Sequence, residues 1–572
     1  MNFLNNEFDD SLIEEFAQAL NVSRLISFLL INRGTRNVEE AKNFLHPHFN
    51  NLFDPFLLKD MDLATSRIEA AINKGENILV YGDEDVDGIS STAILLETLR
   101  NLGGKVDYII PNKAQDGIGL REKFIHQAQN DQVALIITVD CGITNFSQVE
   151  LAKSLGIDVI ITDHHEPQTQ LPAAYAVVNP MRKDCTHPFK RLSGAGVALK
   201  VSQAVSMKMM QITKSQWFSV QKDTICFAML GTIGDRVPLT SENRIFARFG
   251  LERIRKSARP WVRVLIENFY SSFKPLNMST ILSLFIPLLS SCESKNGKNI
   301  SCDLLLSDDV EKVTEWADEL HAASQDWFFR ARNAFDRIKT NLTAPENNNL
   351  LVIVERDTEV DVLSYCASKI KDLLKCPVVM IGFKEEYVIG EARAPKGCDL
   401  IKYFRECEDL FIDYGGHKCA AGFSVLPENL PAAISRLNAV STETPQNTGT
   451  NFRNRAEIEI NETELVHDLF ETVPKLAPFG EGNPVPFFKM TNIQIRKVYD
   501  GYRVGNCSET FWATRRVRHQ LNISIGQEVT GNIEFFIDGV GRGYISRFQT
   551  FDELDYAEFA EILESTNNEL GK

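Results

Sequence analysis

Four carboxylates fall within five positions of Tyr81-Gly82-Asp83-Glu84-Asp85-Val86-Asp87-Gly88. Acids this crowded repel one another unless a cation holds them together. They follow the apolar run Asn77-Ile78-Leu79-Val80-Tyr81, which reads as a strand, and precede a helical stretch from Ser90 to Leu102. That order puts them at the carboxyl end of a parallel strand, where α/β proteins bind ligands. A solvated acidic loop is the bland alternative, and the strand that feeds the acids into the expected crevice weighs against it. An EF-hand does not fit, because its twelfth loop position falls on Ile94 and not on a ligating glutamate.

Two more apolar runs end in donor residues. Ile136-Ile137-Thr138-Val139 leads into Asp140, and Ile160-Ile161-Thr162 leads into Asp163-His164-His165. Singly, each is as readily a capping Asp or a buried polar pair. Three strand ends carrying oxygen and nitrogen donors are hard to assign to capping, and mixed carboxylate and imidazole ligands suit Mn²⁺ or Mg²⁺ better than a thiolate-seeking metal. Gly234-Asp235, after Met229-Leu230-Gly231-Thr232-Ile233, supplies one more acid.

The elements that must position these residues are legible. Small helices are expected at Ser11 to Leu20, Ser23 to Asn32 and Val38 to Leu45, then alternating strands and helices from 60 to 240. Near-continuous apolar strands between amphipathic helices indicate a parallel sheet buried on both faces. Glu311 to Ile338 reads as one long helix whose Val313, Trp316, Leu320, Trp327, Ala331, Phe335 and Ile338 form a stripe, with packing favoured over base stacking. A second α/β block follows: strand Leu350 to Val354, helix Asp361 to Leu374 and strand Val378 to Ile381. Short β segments with Trp512, Arg515, Arg516, Arg518 and Tyr544 suggest a barrel that binds a strand by stacking and charge. The division expected is a helical lead-in at 1–58, a parallel-sheet domain at 59–260, a helical connector at 261–342, a smaller α/β domain at 343–440, an OB-like barrel at 450–555 and an acidic tail at 556–572.

Composition narrows the function. A chain of 572 residues is too long for one core, so several domains are expected. The longest uncharged apolar run, Ile281 to Leu289, is too short to span a bilayer, and the N-terminus lacks the basic start of a secretory signal. Membrane and export readings are therefore set aside. Eleven cysteines without a C-x-x-C pair argue against a disulfide framework or a zinc knuckle and fit a reducing cytoplasm. The net charge of −16 opposes coating of nucleic acid by bulk positive charge, but it does not exclude a nuclease with a locally basic groove.

Asp163-His164-His165 with the acidic motif upstream resembles the DHH phosphoesterase superfamily, and within it the bacterial single-stranded-DNA-specific exonucleases. The likeness runs nearly end to end. It includes Phe44-Leu45-His46-Pro47, Val178-Asn179-Pro180, Leu192-Ser193-Gly194-Ala195-Gly196, Asp235-Arg236-Val237-Pro238-Leu239 and Leu476-Ala477-Pro478-Phe479-Gly480-Glu481-Gly482-Asn483-Pro484. Gly415-Gly416-His417 with Ala420-Ala421-Gly422 resembles the companion DHHA1 domain.

The resemblance implies an enzyme with two divalent cations, Mn²⁺ preferred or Mg²⁺, that releases mononucleotides from the 5′ end of single-stranded DNA in repair and recombination. It implies Asp85, Asp87, Asp140, His164 and Asp235 as metal ligands, with His165, Asp163 and Asp83 in the catalytic set. It implies Lys113, Arg393, Gly415, Gly416 and His417 as substrate-binding residues, and a helicase and a single-strand-binding protein as partners. Two cations about 3.5–4 Å apart can activate a water and stabilise the attacking and leaving oxygens of an in-line displacement. Rival readings are a phosphodiesterase for oligonucleotides or a signalling nucleotide, and a catalytically silent replication scaffold.

The chain departs from the family pattern at Glu84, Lys113 and Ile118, where Tyr, Arg and Tyr are usual. It departs again at Gly390-Glu391-Ala392-Arg393-Ala394, where an acid replaces a phosphate-binding hydroxyl. Pro287-Leu288-Leu289-Ser290-Ser291-Cys292-Glu293 lacks the family's arginines. Chemistry is expected to survive these changes while the grip on DNA weakens, because phosphate contacts dominate affinity.

Overall fold

The computed structural model describes residues 2–3, 10–221, 223–270, 276–340, 342, 350–395, 397–439, 458–462, 467–514, 517, 521 and 523–550. The linker at 343–349, the turn-rich stretch at 440–450, the acidic tail at 556–572 and Arg515, Arg516 and Arg518 lie outside them. The chain forms two units, Met1–Trp316 with Asn451–Lys572, and Ala317–Thr450.

In the first unit a five-stranded sheet comprises β1 (Asn77–Tyr81), β2 (Lys105–Ile109), β3 (Val133–Val139), β4 (Asp158–Thr162) and β5 (Ala176–Val178). The spatial order is β2-β1-β3-β4-β5 and every pairing is parallel. The apolar runs are buried as their composition demands: Val80, Tyr81, Ile136, Ile137, Ile160 and Ile161 are all fully covered. The chain steps from β1 to β2 on one side and returns to β3 on the other. The strand order therefore reverses between β1 and β3, which opens a crevice at their carboxyl ends.

Helix α1 (Val86–Asn101) follows β1 and begins a turn earlier than its apolar pattern suggests. Asp85 is the reason: its Oδ1 accepts the backbone N–H groups of Asp87 and Gly88 at 3.1 and 3.0 Å and caps the helix. Helices α2 (Gly194–Met210) and α3 (Thr224–Gly234) pack on α1, and α4 (Ser241–Ile254) packs on α3. Burial on several sides explains why α1, α2 and α3 are apolar around most of their circumference.

Helix α5 (Val310–Lys339) runs from the first unit into the second. Within the second unit its Ala331, Ala334 and Ile338, flanked by Trp327 and Phe335, pack against Val362, Leu363, Cys366 and Ile370, so this part of the stripe is a packing surface. The sheet of this unit comprises β6 (Leu351–Val354), β7 (Val378–Phe383), β8 (Val388–Arg393), β9 (Phe411–His417) and β10 (Ala420–Val425) in the order β9-β10-β8-β7-β6. Only β6 and β7 are parallel.

The C-terminal strands belong to the first unit. They are β11 (Phe487–Val498), β12 (Gly501–Val504), β13 (Phe511–Ala513), β14 (Glu528–Ile537) and β15 (Gly543–Thr550). They run β11-β12-β13-β15-β14 and close through a β14–β11 pairing into a five-stranded barrel, onto which Ile458–Glu459 adds beside β11 and Asn2–Phe3 beside Ile458–Glu459. Phe488, Phe511 and Phe535 of the barrel share one core with Phe16, Leu29 and Phe44 of the N-terminal helices Asp10–Leu20, Arg24–Asn32 and Val38–Leu45. The architecture is thus α/β: a parallel-sheet domain, a long helix, a smaller α/β domain and a β-barrel. Among the described residues no helix is long and apolar enough to cross a membrane.

Candidate metal centre

The crevice between β1 and β3 gathers side chains from four chain segments. Asp83 and Asp85 stand in the loop after β1, and Asp87 in the first turn of α1. Asp140 follows β3, while Asp163, His164 and His165 follow β4. Asp235 leaves the end of α3, so it comes from a helix and not from the sheet. The ladder continues into the site: Asp140 N–H donates to the Thr162 carbonyl at 3.0 Å and Asp163 N–H to the Val178 carbonyl at 3.1 Å. Asp140 sits at φ 60°, a left-handed conformation that Asp tolerates better than most residues.

His164 Nε2 lies 3.0 Å from Asp140 Oδ1, 3.7 Å from Asp235 Oδ2 and 3.8 Å from Asp87 Oδ2. Both oxygens of Asp87 accept backbone N–H groups at the start of α2, from Gly194 at 2.6 Å and Ala195 at 2.8 Å. A helix N-terminus is a natural seat for an anion. Such an approach requires glycine: a Cβ on Gly194 would lie 2.5 Å from Asp140 Oδ1, and one on Gly231 would lie 2.4 Å from Asp87 Oδ1.

Asp140 Oδ1 and Asp235 Oδ2 are buried and accept no hydrogen bond. Leaving a carboxylate oxygen dry and unsatisfied is costly, and a cation held between the carboxylates and His164 removes that cost. Donor atoms of Asp87, Asp140 and His164 all lie within 4.8 Å of one another, as do those of Asp83, Asp85 and Asp140. Oxygen-rich sets with one imidazole fit a hard or borderline divalent cation.

The electrostatics agree. Burial, reinforced by Asp235, pushes Asp87 up to about 7. Burial and Asp87 hold Asp140 well above the carboxylate range, and burial raises Asp235. For His164 burial opposes the charged form, but Asp235, Asp87 and Asp163 outweigh it and raise its pKa. Without a cation the cluster therefore retains protons. Asp163 behaves differently. Burial alone would raise it, yet His165 and a set of hydrogen bonds hold it below the carboxylate range. Its Oδ1 lies 2.8 Å from His165 Nδ1 and accepts the N–H of His164, and its Oδ2 accepts the N–H of Ile143. In return Asp163 outweighs burial and lifts His165 to about 9.

The other side of the crevice already holds a cation. Lys113 Nζ is 2.8 Å from Asp83 Oδ2 and 3.8 Å from Asp85 Oδ2. Glu84, one of the four clustered acids, turns away from this group and binds two loops. Its Oε2 accepts the N–H of Lys113 and its Oε1 the N–H of Ser294, each at 2.7 Å. The sequence shows Glu84 only as one of the clustered acids and as a departure from the family's Tyr, with no signal for this tie. The nearby Asn112, whose Nδ2 donates to Glu293 Oε2 and the Ser294 carbonyl, belongs to the same junction.

The second unit carries the remaining candidates. Arg393 and Glu391 point to one face of β8, and Arg393 is bound to Glu391 Oε2 at 3.0 Å. Across β10 and β9, Arg393 aligns with Ala420 and His417, and Glu391 with Gly422 and Gly415. Gly416 has φ 123°, and a Cβ there would strike the Ala420 carbonyl oxygen at 2.6 Å. On the barrel, Trp512, Tyr544, Phe536 and Phe487 are cross-strand neighbours on four adjacent strands, a half-buried outward row.

Comparison with known proteins gives this geometry its setting. Residues 77–232 match the DHH family, N-terminal domain, and residues 347–443 match the DHHA1 domain. The single-stranded-DNA-specific exonuclease RecJ of Bacillus subtilis is 32% identical over 498 residues, covering 86% of this chain and 61% of that protein. The chain thus spans about three-fifths of that relative's length. RecJ of Escherichia coli is 28% identical over 486 residues, covering 81% of this chain and 82% of that protein. The crystal structure of RecJ from Thermus thermophilus in complex with Mn²⁺ has the same fold, with TM-score 0.74 over 96% of this chain and 79% of that one at 24% identity. A manganese-bound exonuclease RecJ superposes with TM-score 0.56 at 28% identity, over 68% of this chain and 96% of that one. With both domains in order and such relatives along most of its length, the chain belongs to the RecJ family of DHH–DHHA1 proteins.

Proposed function

We propose that the chain is a divalent-cation-dependent exonuclease that hydrolyses single-stranded DNA from its 5′ end to mononucleotides in repair and recombination. The observation that carries this reading is the convergence of Asp87, Asp140, His164 and Asp235 from four segments, with two buried carboxylate oxygens left unsatisfied. A protein without bound cations has no physical use for such an arrangement. RecJ relatives named as single-stranded-DNA-specific exonucleases, and RecJ structures holding Mn²⁺, support it.

In this reading Asp87, Asp140, His164 and Asp235 hold one cation, and Asp83, Asp85 and Asp140 a second, with Mn²⁺ or Mg²⁺ as occupants. Bound there, the pair supplies Lewis acidity, which lowers the pKa of a water and neutralises phosphate charge. The chain's own groups do the rest. With a pKa of about 9, His165 is an imidazolium at neutral pH, and Asp163 fixes its orientation through Nδ1. It supplies positive charge to a phosphate oxygen as negative charge develops there. Lys113, Arg393, Gly415, Gly416 and His417 bind the substrate, and the row Trp512, Tyr544, Phe536 and Phe487 offers faces on which bases stack. The cytoplasm is the proposed compartment, consistent with eleven cysteines that form no disulfide among the described residues. A helicase and a single-strand-binding protein are the proposed partners.

The test uses 5′- and 3′-labelled single strands, duplex and a dinucleotide, each with Mn²⁺, Mg²⁺ or chelator. Mononucleotide release from the 5′ end of single strands, abolished by chelator and by Asp140→Ala, is the expected result. Preference for the dinucleotide, or no cleavage under any condition, overturns it.

A further inference from the structure

We propose that Lys113 acts as an internal counter-ion that keeps the Asp83–Asp85 cation site weak until a substrate phosphate draws its ammonium away. The inference rests on the two-cation reading above and adds a regulatory step to it: loading of the second cation is coupled to substrate binding.

The two halves of the crevice are not equivalent. On the His164 side, among the described residues, Asp140 and Asp235 form no ion pair with a lysine or arginine; their buried oxygens face the His164 imidazole at 3.0 and 3.7 Å, which can itself ligate a cation once the protons held there are released. On the other side the oxygens are engaged. Asp83 Oδ1 accepts the N–H of Glu84 at 2.7 Å, and Asp83 Oδ2 holds the Lys113 ammonium at 2.8 Å. Asp85 spends Oδ1 on capping α1 and turns Oδ2 toward the same ammonium at 3.8 Å. A divalent ion seeking Asp83 and Asp85 must therefore displace a resident positive charge.

The position of that charge is built in. Glu84 anchors the Lys113 backbone N–H and ties it to Ser294, so the root of the side chain is fixed beside the acids. The tip is free to swing: the Lys113 side chain is 35% exposed, against 9% for Asp83. A lysine is a compact point charge on a flexible stem, suited to exchanging one anion for another. A phosphate arriving at the crevice offers an alternative partner to the ammonium, and once it leaves, Asp83 Oδ2 is available to a cation. By thermodynamic reciprocity the second cation then tightens phosphate binding by the same factor.

The experiment titrates Mn²⁺ into chelator-stripped full-length protein by calorimetry and by the electron paramagnetic resonance signal of free Mn²⁺. It compares the native chain with Lys113→Met and Lys113→Arg, each with and without thymidine 5′-monophosphate. The native chain should show a tight and a weak class. Lys113→Met should leave the tight class within about twofold and strengthen the weak class at least tenfold, whereas Lys113→Arg keeps it weak. The nucleotide should strengthen the weak class of the native chain and have no such effect in Lys113→Met. A single class in the native chain, or a weak class unmoved or loosened in Lys113→Met, overturns the proposal. Retention of both classes in Asp140→Ala defeats instead the reading of the crevice as a cation site.

Discussion

If the crevice exists to hold cations, cation affinity must fall steeply with acidity. Asp87 is pushed up to about 7, and Asp140 and Asp235 are raised as well, because they are buried together. A cation competes with the protons these groups hold. From Asp87 alone the apparent Mn²⁺ affinity should approach a tenfold drop per pH unit well below about 7, roughly 16-fold between pH 7 and 5.5, and fall more steeply if Asp140 contributes its own proton. The metal-free protein should show the opposite face of this linkage. A carboxyl whose folded pKa lies above its unfolded value gives stability that is complete below the ordinary carboxylate range and is lost as pH rises through about 7. About three units at about 1.4 kcal/mol each make the loss of order 4 kcal/mol between pH 4 and 7.5, and saturating Mn²⁺ should restore it. Calorimetric Mn²⁺ titrations at pH 6 in two buffers of different ionisation heat measure the released protons directly, and thermal melts with chelator follow the stability. Release of no proton at pH 6, together with metal-free melts that are level from pH 5 to 7.5, would refute the reasoning.

Other outcomes follow from single contacts. Gly194→Ala drives a Cβ to 2.5 Å from Asp140 Oδ1, so it should cost about 1–3 kcal/mol in thermal stability and loosen Mn²⁺ at least tenfold by calorimetry. Asp163→Asn keeps the side chain's shape but removes the charge that lifts His165 to about 9. The imidazolium is lost as pH rises, so the alkaline limb of the rate profile should move from about 9 toward neutrality. Glu391→Ser releases Arg393 from its 3.0 Å ion pair. Single-strand affinity should rise several-fold, and the slope of log K against log salt, read from fluorescence anisotropy, should steepen by about 0.7 for one added phosphate contact. Asn483→Ala deprives Arg33 Nε of its buried 2.8 Å acceptor and should cost about 1–3 kcal/mol in chemical denaturation.

By itself the sequence determined the parallel sheet, the long helix and the ends of the strands that carry donors. Each is a local matter: apolar runs of strand length, a helical repeat, and Asp or His directly after them. Asp83, Asp85, Asp87, Asp140 and His164 were legible as neighbours because strands of a parallel sheet all deliver their carboxyl ends to one edge, whereas Asp235, at the end of a helix, was reached only through the family resemblance. What each donor does there was settled only by tertiary packing. Glu84 stands among four consecutive-looking acids, yet its carboxylate is spent on the N–H groups of Lys113 and of Ser294, a residue 210 positions away. Asp87 and Asp140 are raised and Asp163 is lowered although all three are buried aspartates, because the first two face other acids and the third faces His165. The union of the lead-in helices with the C-terminal barrel, sealed by Arg33 on Asn483 and by Arg244 on the Ala477 carbonyl, joins segments with no periodic or compositional signal for each other. Patterning along a chain reports which face is apolar. Which distant partner covers that face, and whether an acid meets a cation, an amide or another acid, is decided only when the chain closes on itself.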